Sequence, residues 1–177
     1  MRVVGGRLGG RGLHSARAGG LRPTSDRVRE AIFNILGDTV EDAVVLDLYA
    51  GTGAMAIEAV SRGARAAVCV ERAAGALAAL RRNVGELGLE DEILVRRAAA
   101  LDFCRGIPED GARFDVVFCD PPYRDDLAPI LEMIVSANWW ERVWVLEHAS
   151  RRSLPALPEP AETRRWGDTS ASFFWRP

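Results

Sequence analysis

The stretch FDVVFCDPPYRDD, residues 114–126, carries the densest chemistry in the chain. An apolar run, Val116 to Cys119, ends on a carboxylate, Asp120, and is followed by Pro121, Pro122 and Tyr123. An exocyclic amino group on a nucleobase is a poor nucleophile, because its lone pair is delocalised into the ring. Two acceptors set against its two N–H bonds draw the nitrogen toward pyramidal geometry and localise that pair. Asp120 supplies one acceptor and the carbonyl of Pro121 the other. The prolines fix φ and keep the backbone out of a helix, so that this carbonyl faces the site. Tyr123 offers a face on which a flipped base can stack. Asp120, Pro121, Pro122 and Tyr123 therefore read as a clamp for a planar amine in line with a sulfonium methyl. No strong base is needed first, since the alkylated amine is acidic and sheds its proton afterwards. The alternative is a proline turn that only ends a strand.

A second group precedes it. DLYAGTGAMA begins at Asp47 and includes Gly51 and Gly53. Glycines after a strand allow a tight turn and close approach of backbone to a ligand. Such a GxG occurs in nicotinamide, flavin and S-adenosylmethionine (SAM) sites alike. Asp47 tips the choice: a carboxylate there repels a pyrophosphate and suits the ammonium group of a methionine. Asp47 serving only as a helix cap is the alternative. Glu71 ends the next apolar run, 18 residues after Gly53, where an acid can accept both hydroxyls of a ribose. Tyr49 and Arg72 flank these positions and join the expected cofactor set. After the third strand stand Ala98, Ala99 and Ala100, so an adenine is met by backbone groups at Ala99 or by Asp102.

Elements must bring these groups together. Strands are expected over 43–50, 65–71, 92–98, 114–120 and 141–148, with helices over 54–62, 73–88, 101–105 and 127–137. Their alternation predicts an α/β fold: a Rossmann-like, doubly wound, mostly parallel sheet, with ligands bound beyond the carboxyl ends of the strands. Two closing strands, 161–166 and 170–176, add an antiparallel hairpin, after a loop marked by Pro155, Pro158 and Pro160. Ahead of the sheet, RVV and GRGLHS can pair as a small hairpin, and Thr24 or Ser25 can cap a helix over 26–36 that Gly37 ends. Residues 1–37 read as an extension and 38–177 as the catalytic domain.

The chain of 177 residues is 48 % apolar and has a net charge of −2. That charge is unevenly spread. Residues 1–29 hold seven arginines (Arg2, Arg7, Arg11, Arg17, Arg22, Arg27 and Arg29) against Asp26 alone, a net +6, and the remainder carries 16 arginines against 24 acids, a net −8. A basic arm on an acidic body suggests a polyanion met by one end of the molecule, so the arm is expected to serve RNA and not the cofactor. Lysine is absent. Cys69, Cys104 and Cys119 are too few and too scattered for a disulfide framework or a zinc site, and no metal is expected. No apolar run reaches membrane-spanning length. His14 and His148 read as structural or RNA-adjacent, and Trp139 and Trp140 as packing.

These stretches carry a resemblance. DLYAGTGAMAIEA, VE and DPPY together look like a SAM-dependent methyltransferase acting on amino groups. RVVGGRLGGRGL, LRPTSDRVREAIFNIL and AVSRGA resemble the RsmD family, the bacterial 16S ribosomal RNA guanine-N2 methyltransferases. The likeness runs from Arg2 to about Tyr123 and continues loosely to Trp175. It implies methyl transfer to the exocyclic N2 of one guanine in a hairpin loop of 16S rRNA, on the small ribosomal subunit or a late assembly intermediate. Asp47, Gly51, Gly53 and Glu71 would then hold SAM, Asp120, Pro121 and Tyr123 the guanine, and the arm through Arg29 the RNA. A cytoplasmic monomer is expected. An adenine-N6 DNA methyltransferase shares DPPY but needs a target-recognition insertion that does not fit here. A non-catalytic RNA-binding module has no need of both Asp120 and Glu71.

Overall fold

The computed structural model describes residues 1–15, 25–123, 125–152, 154 and 159–176. Arg17, Arg22, Thr24, Pro155 and Pro158 lie outside the described residues. The elements are α1 (Asp26–Leu36), β1 (Val44–Leu48), α2 (Ala54–Ser61), β2 (Ala66–Val70), α3 (Ala74–Leu87), β3 (Ile93–Arg96), α4 (Ala100–Arg105), β4 (Phe114–Cys119), α5 (Ala128–Ser136), β5 (Trp140–Ala149), β6 (Glu162–Trp166) and β7 (Thr169–Trp175). One seven-stranded sheet runs in the order β3-β2-β1-β4-β5-β7-β6. The first five strands are parallel, and β7 pairs antiparallel with β5 and with β6, which forms the edge.

Successive side chains of a strand face opposite sides of the sheet, and that alternation divides the core in two. Val45 of β1, Val116 and Phe118 of β4, Val143 and Val145 of β5 and Ala171 and Phe173 of β7 face α1, α2 and α3. Leu46 and Leu48, Val117 and Cys119, Trp144 and Leu146, and Phe174 face α4 and α5. Phe114 falls on the second side because pairing with β5 shifts register between Phe114 and Val116. With both faces covered, the central strands are near-continuous apolar runs. Trp139, Trp140 and Trp144 pack as a group, Trp139 and Trp144 with ring centroids 5.4 Å apart. All three cysteines are free thiols buried in the core, and burial pushes Cys104 up to about 12. Among the described residues no helix is long and apolar enough to cross a membrane.

The N-terminal residues form the expected pairing in minimal form. Arg2 and Gly12 make an antiparallel bridge, and Val3 N–H donates to Arg11 C=O at 2.9 Å, around a 3-10 turn at Gly6–Leu8. Gly6 has φ +70 against the Ser61 carbonyl, where any Cβ would overlap. Ser25 caps α1 by accepting from Val28 N–H. Val3, Leu13, Val28, Ile32, Phe33 and Leu36 belong to the same core cluster as α2 and α3, so residues 1–15 and 25–37 share their hydrophobic core with the sheet.

The pin for this docking is Glu58 of α2, fully buried. Its carboxylate accepts from Val4 N–H (2.7 Å), Gly5 N–H (2.8 Å), Arg62 Nε (2.8 Å) and Arg29 Nε (3.4 Å). Arg29, also buried, bonds Asp26 at 2.9 Å and the carbonyl of Arg2 as well. This corrects the expectation that Arg29 meets RNA. Its guanidinium ties the arm to α2, because a buried cation must be paired, and charge counting along the sequence cannot distinguish that from a surface arginine.

Candidate active site

Leu48 lies in register between Val70 of β2 and Cys119 of β4. The carboxyl ends of these strands are therefore level, at the point where strand order reverses, which is where open α/β sheets bind ligands. A cavity of about 430 Å³ opens there. Asp47, Tyr49, Ala50 and Gly51 line it from β1, Glu71 and Arg72 from β2, Ala98, Ala99 and Ala100 from β3, and Asp120 and Pro122 from β4. Of the sequence-derived groups, Asp47, Tyr49, Gly51, Glu71, Arg72, Ala99, Asp120 and Pro122 converge on this space, while Gly53, Pro121 and Tyr123 are not among its lining residues.

Each group has a physical assignment. Asp47 accepts from Ala56 N–H, in the first turn of α2, at 3.2 Å. It is thus a helix cap and a wall of the cavity at once. Burial, with the nearby charges of Asp120 and Glu71, pushes its carboxyl up to about 8. Tyr49 holds φ 62, a left-handed backbone uncommon for a non-glycine residue and worth notice at a site. Gly51 (φ +56) offers its N–H to Glu71 Oε2 at 2.9 Å, and Glu71 Oε1 accepts from Ala73 N–H at 2.6 Å. Glu71 therefore staples the β1 loop to the β2 loop, with lone pairs left on both oxygens. Gly53 does not line the cavity. It has φ +81 at the start of α2, and a Cβ there would overlap Leu80 of α3. Its contribution is backbone form and close packing.

Beyond β4, burial pushes the Asp120 carboxyl up to about 6. Pro121 is buried and Pro122 exposed on the cavity side. Tyr123 stands outside the cavity wall, 46 % exposed, its hydroxyl 2.9 Å from Thr169 Oγ1 at the start of β7. Arg152 donates to the Tyr123 carbonyl at 3.1 Å. The DPPY loop is thus braced from the far side by the β5 and β7 ends.

Of the arginines assigned to RNA, Arg2, Arg7, Arg11 and Arg27 are at least partly exposed. Arg2 lies 3.7 Å from Asp26 and Arg7 2.5 Å from Glu92. Exposed pairs of this kind contribute about 0–1 kcal/mol, so they leave both cations open to a phosphate.

Sequence reasoning missed several wall residues. Thr52, Met55, Ala76, Asp125 and Arg105 belong to loops and helix ends beside the strand ends and could have been found by extending each motif a turn. Met1 and Ser15 also line the cavity. They bring the arm to the cavity wall, and no local signal marks them, because only the docking of the arm on α2 and α3 brings them there.

The level strand ends, the glycine loop and the acid after β2 define a Rossmann-like methyltransferase architecture. An RNA methyltransferase from Salinibacter ruber in complex with S-adenosyl-L-homocysteine shares this fold at a TM-score of 0.63, with 20 % identity over 88 % of this chain and 94 % of that one. A hypothetical protein from Thermus thermophilus superposes at a TM-score of 0.85, with 30 % identity and 98 % of both chains covered. The sequence model of the family described as "Conserved hypothetical protein 95" matches residues 1–175. The chain is also 34 % identical over 161 residues, 89 % of its length and 79 % of the relative's, to the ribosomal RNA small subunit methyltransferase D of Escherichia coli K12. It belongs to that family, the RsmD-type small-subunit rRNA methyltransferases.

Proposed function

We propose that this protein uses SAM to methylate the exocyclic N2 of a guanine in a hairpin loop of 16S rRNA, on the small ribosomal subunit or a late assembly intermediate, as a cytoplasmic monomer. The observation that carries the reading is the cavity at the strand-order reversal, with Asp47, Glu71 and Asp120 around it. Three carboxylates disfavour a pyrophosphate and favour a ligand that is cationic at one end and carries a ribose. SAM has both features, so the donor set fits it. Asp47 and the Gly51 loop would take the methionine end, Glu71 the ribose hydroxyls, and the Ala98–Ala100 backbone the adenine. Tyr49 and Arg72 complete the walls.

When bound, the cofactor supplies an electrophilic methyl group on a sulfonium. The chain's part is to prepare the amine. Asp120 accepts one N–H of the guanine amino group, and the Pro121 carbonyl accepts the other, which draws the lone pair out of the ring. Pro122 stiffens the turn and Tyr123 stacks on the base from the rim. After transfer, the nitrogen loses one proton. The raised Asp120 carboxyl is a suitable first acceptor, since it is a stronger base than an ordinary aspartate while still ionised at neutral pH. Residues 1–37 present Arg2, Arg7, Arg11 and Arg27 to phosphates, and residues 38–177 carry the chemistry.

The test is to incubate the protein with methyl-labelled SAM and undermethylated small subunits, digest the RNA and identify the labelled nucleoside. N2-methylguanosine is expected. Label in N6-methyladenosine, or in no nucleoside, would overturn the reading.

A further inference from the structure

Asn83 stands on α3, and its side chain is buried. Its Oδ1 accepts from His14 N–H at 2.7 Å, and its Nδ2 donates to His14 C=O at 3.1 Å and to Thr52 C=O at 2.9 Å. One amide thus holds both backbone groups of an arm residue, as a neighbouring strand would, and gives its second N–H to the glycine loop. One turn further along α3, Glu86 Oε2 lies 2.7 Å from His14 Nε2. Met1 and Ser15, on either side of the arm's turn, line the cavity along with Thr52. Past Ser15 the sequence continues to Arg17 and Arg22. The arm and the glycine loop are therefore two walls of one cavity, fastened to each other through one buried side chain.

We propose that Asn83 is a positioning residue that couples the cofactor loop to the N-terminal arm at His14, so that filling the cavity restrains His14 and engagement of the arm holds the loop. This rests on the reading of the arm as the RNA-facing element. A molecule seated against Thr52, Ser15 and Met1 restrains both walls, and Asn83 passes the restraint from one to the other. The coupling is reciprocal: whatever factor cofactor adds to RNA affinity, RNA adds to cofactor affinity.

Hydrogen exchange on the full chain, with and without S-adenosyl-L-homocysteine, gives a readout independent of activity. The amides of His14 and of Gly51–Gly53 slow together when the ligand is added. If the loop slows and His14 does not, the proposal is overturned, whatever the variants do. Asn83→Ala leaves the His14 N–H and the Thr52 carbonyl without this partner. Calorimetry then reads a loss in ligand affinity of about fivefold to a hundredfold, and the ligand no longer protects His14. Asn83→Asp keeps the acceptor for His14 N–H but loses both donations, so ligand affinity falls while His14 protection is partly kept. A merely structural amide would lower the melting temperature and leave ligand-dependent protection of His14 intact, which contradicts the proposal. Saturating undermethylated subunits tighten the binding of S-adenosyl-L-homocysteine to the wild type and not to Asn83→Asp. If subunit binding depends on Arg7 and Arg11 while subunits leave ligand affinity unchanged, the coupling falls alone. If Arg7→Ala and Arg11→Ala leave subunit binding unchanged, the arm reading falls and the relay to RNA with it.

Discussion

Asp47 illustrates how a single buried carboxyl can be costly to the fold alone, and the role proposed for it gives that cost a use. Its ordinary value of 3.8 is pushed up to about 8, so the folded chain holds a proton that the unfolded chain releases. Its contribution to stability is fully present below about pH 4 and is lost as pH rises toward 8. Asp47→Asn should therefore melt higher than the wild type at pH 8 and nearly equal to it at pH 4, in thermal scans without ligand. A cationic ligand favours the ionised form, so SAM affinity should rise between pH 6 and 8 with net proton release, measured by calorimetry in buffers of different ionisation enthalpy. Asp47→Asn should weaken SAM by about tenfold to a hundredfold, the scale of a hydrogen bond to a charged group. Affinity independent of pH would contradict this assignment. Glu71→Ala should cost at least tenfold as well, on the same scale for charge-assisted bonds. Part of that loss comes through Gly51 and Ala73, whose N–H groups Glu71 already holds. Tyr123→Phe keeps the ring but frees it from Thr169, so it should lose less rate than Tyr123→Ala, read in single turnovers. Equal losses would mean that the hydroxyl brace, and not the stacking face, is what matters.

The strands and the mostly parallel sheet were legible from the alternation of apolar runs with glycine-ended helices, though their spatial order was not, and the cavity residues Asp47, Gly51, Glu71 and Asp120 could be picked out because each lies at or just beyond the carboxyl end of a strand. What was not legible depends on docking. Arg29 reads as one cation among seven, yet it is fully buried against Glu58. Asn83 reads as an ordinary polar residue in a helix, and its partners lie 69 and 31 positions away. Gly53 was grouped with Gly51 by spacing, but its φ of +81 and the closeness of Leu80 give it a packing reason instead. The register shift at Asp115 escapes a strict period of two. It leaves that carboxylate to accept from Val44 N–H at 2.8 Å and to pair with Arg142 at 3.0 Å. For α1, breaking the Glu58 hub is the decisive change. Glu58→Ala would leave Arg29 buried without its partner on α2, a loss on the order of 3–5 kcal/mol, seen as a lower denaturant midpoint. A midpoint unchanged from the wild type would contradict the buried-pair account.

Across the whole molecule, residues 1–29 carry a net +6 and the remainder a net −8, and Met1 and Ser15 of the same arm line the cavity. Such a layout lets phosphate attraction act at one end while the acidic body discourages unproductive contacts elsewhere. Replacing Arg7 and Arg11 by alanine should weaken subunit binding and lower the slope of log affinity against log salt by about 0.7–0.9 for each phosphate no longer neutralised. An unchanged slope would remove the arm from the RNA interface. The central claim is that Asp120 prepares a guanine amine for methylation. Its most direct test is the single-turnover formation of N2-methylguanosine in undermethylated small subunits at saturating SAM, wild type against Asp120→Ala and Asp120→Asn. Loss of a well-aimed electrostatic group typically costs about 100- to 1,000-fold in rate. Asp120→Ala should therefore fall to near background with SAM still bound, and Asp120→Asn, which keeps one acceptor oxygen, should lie between it and the wild type. Asp120→Ala forming N2-methylguanosine at close to the wild-type rate would mean that DPPY only ends a strand.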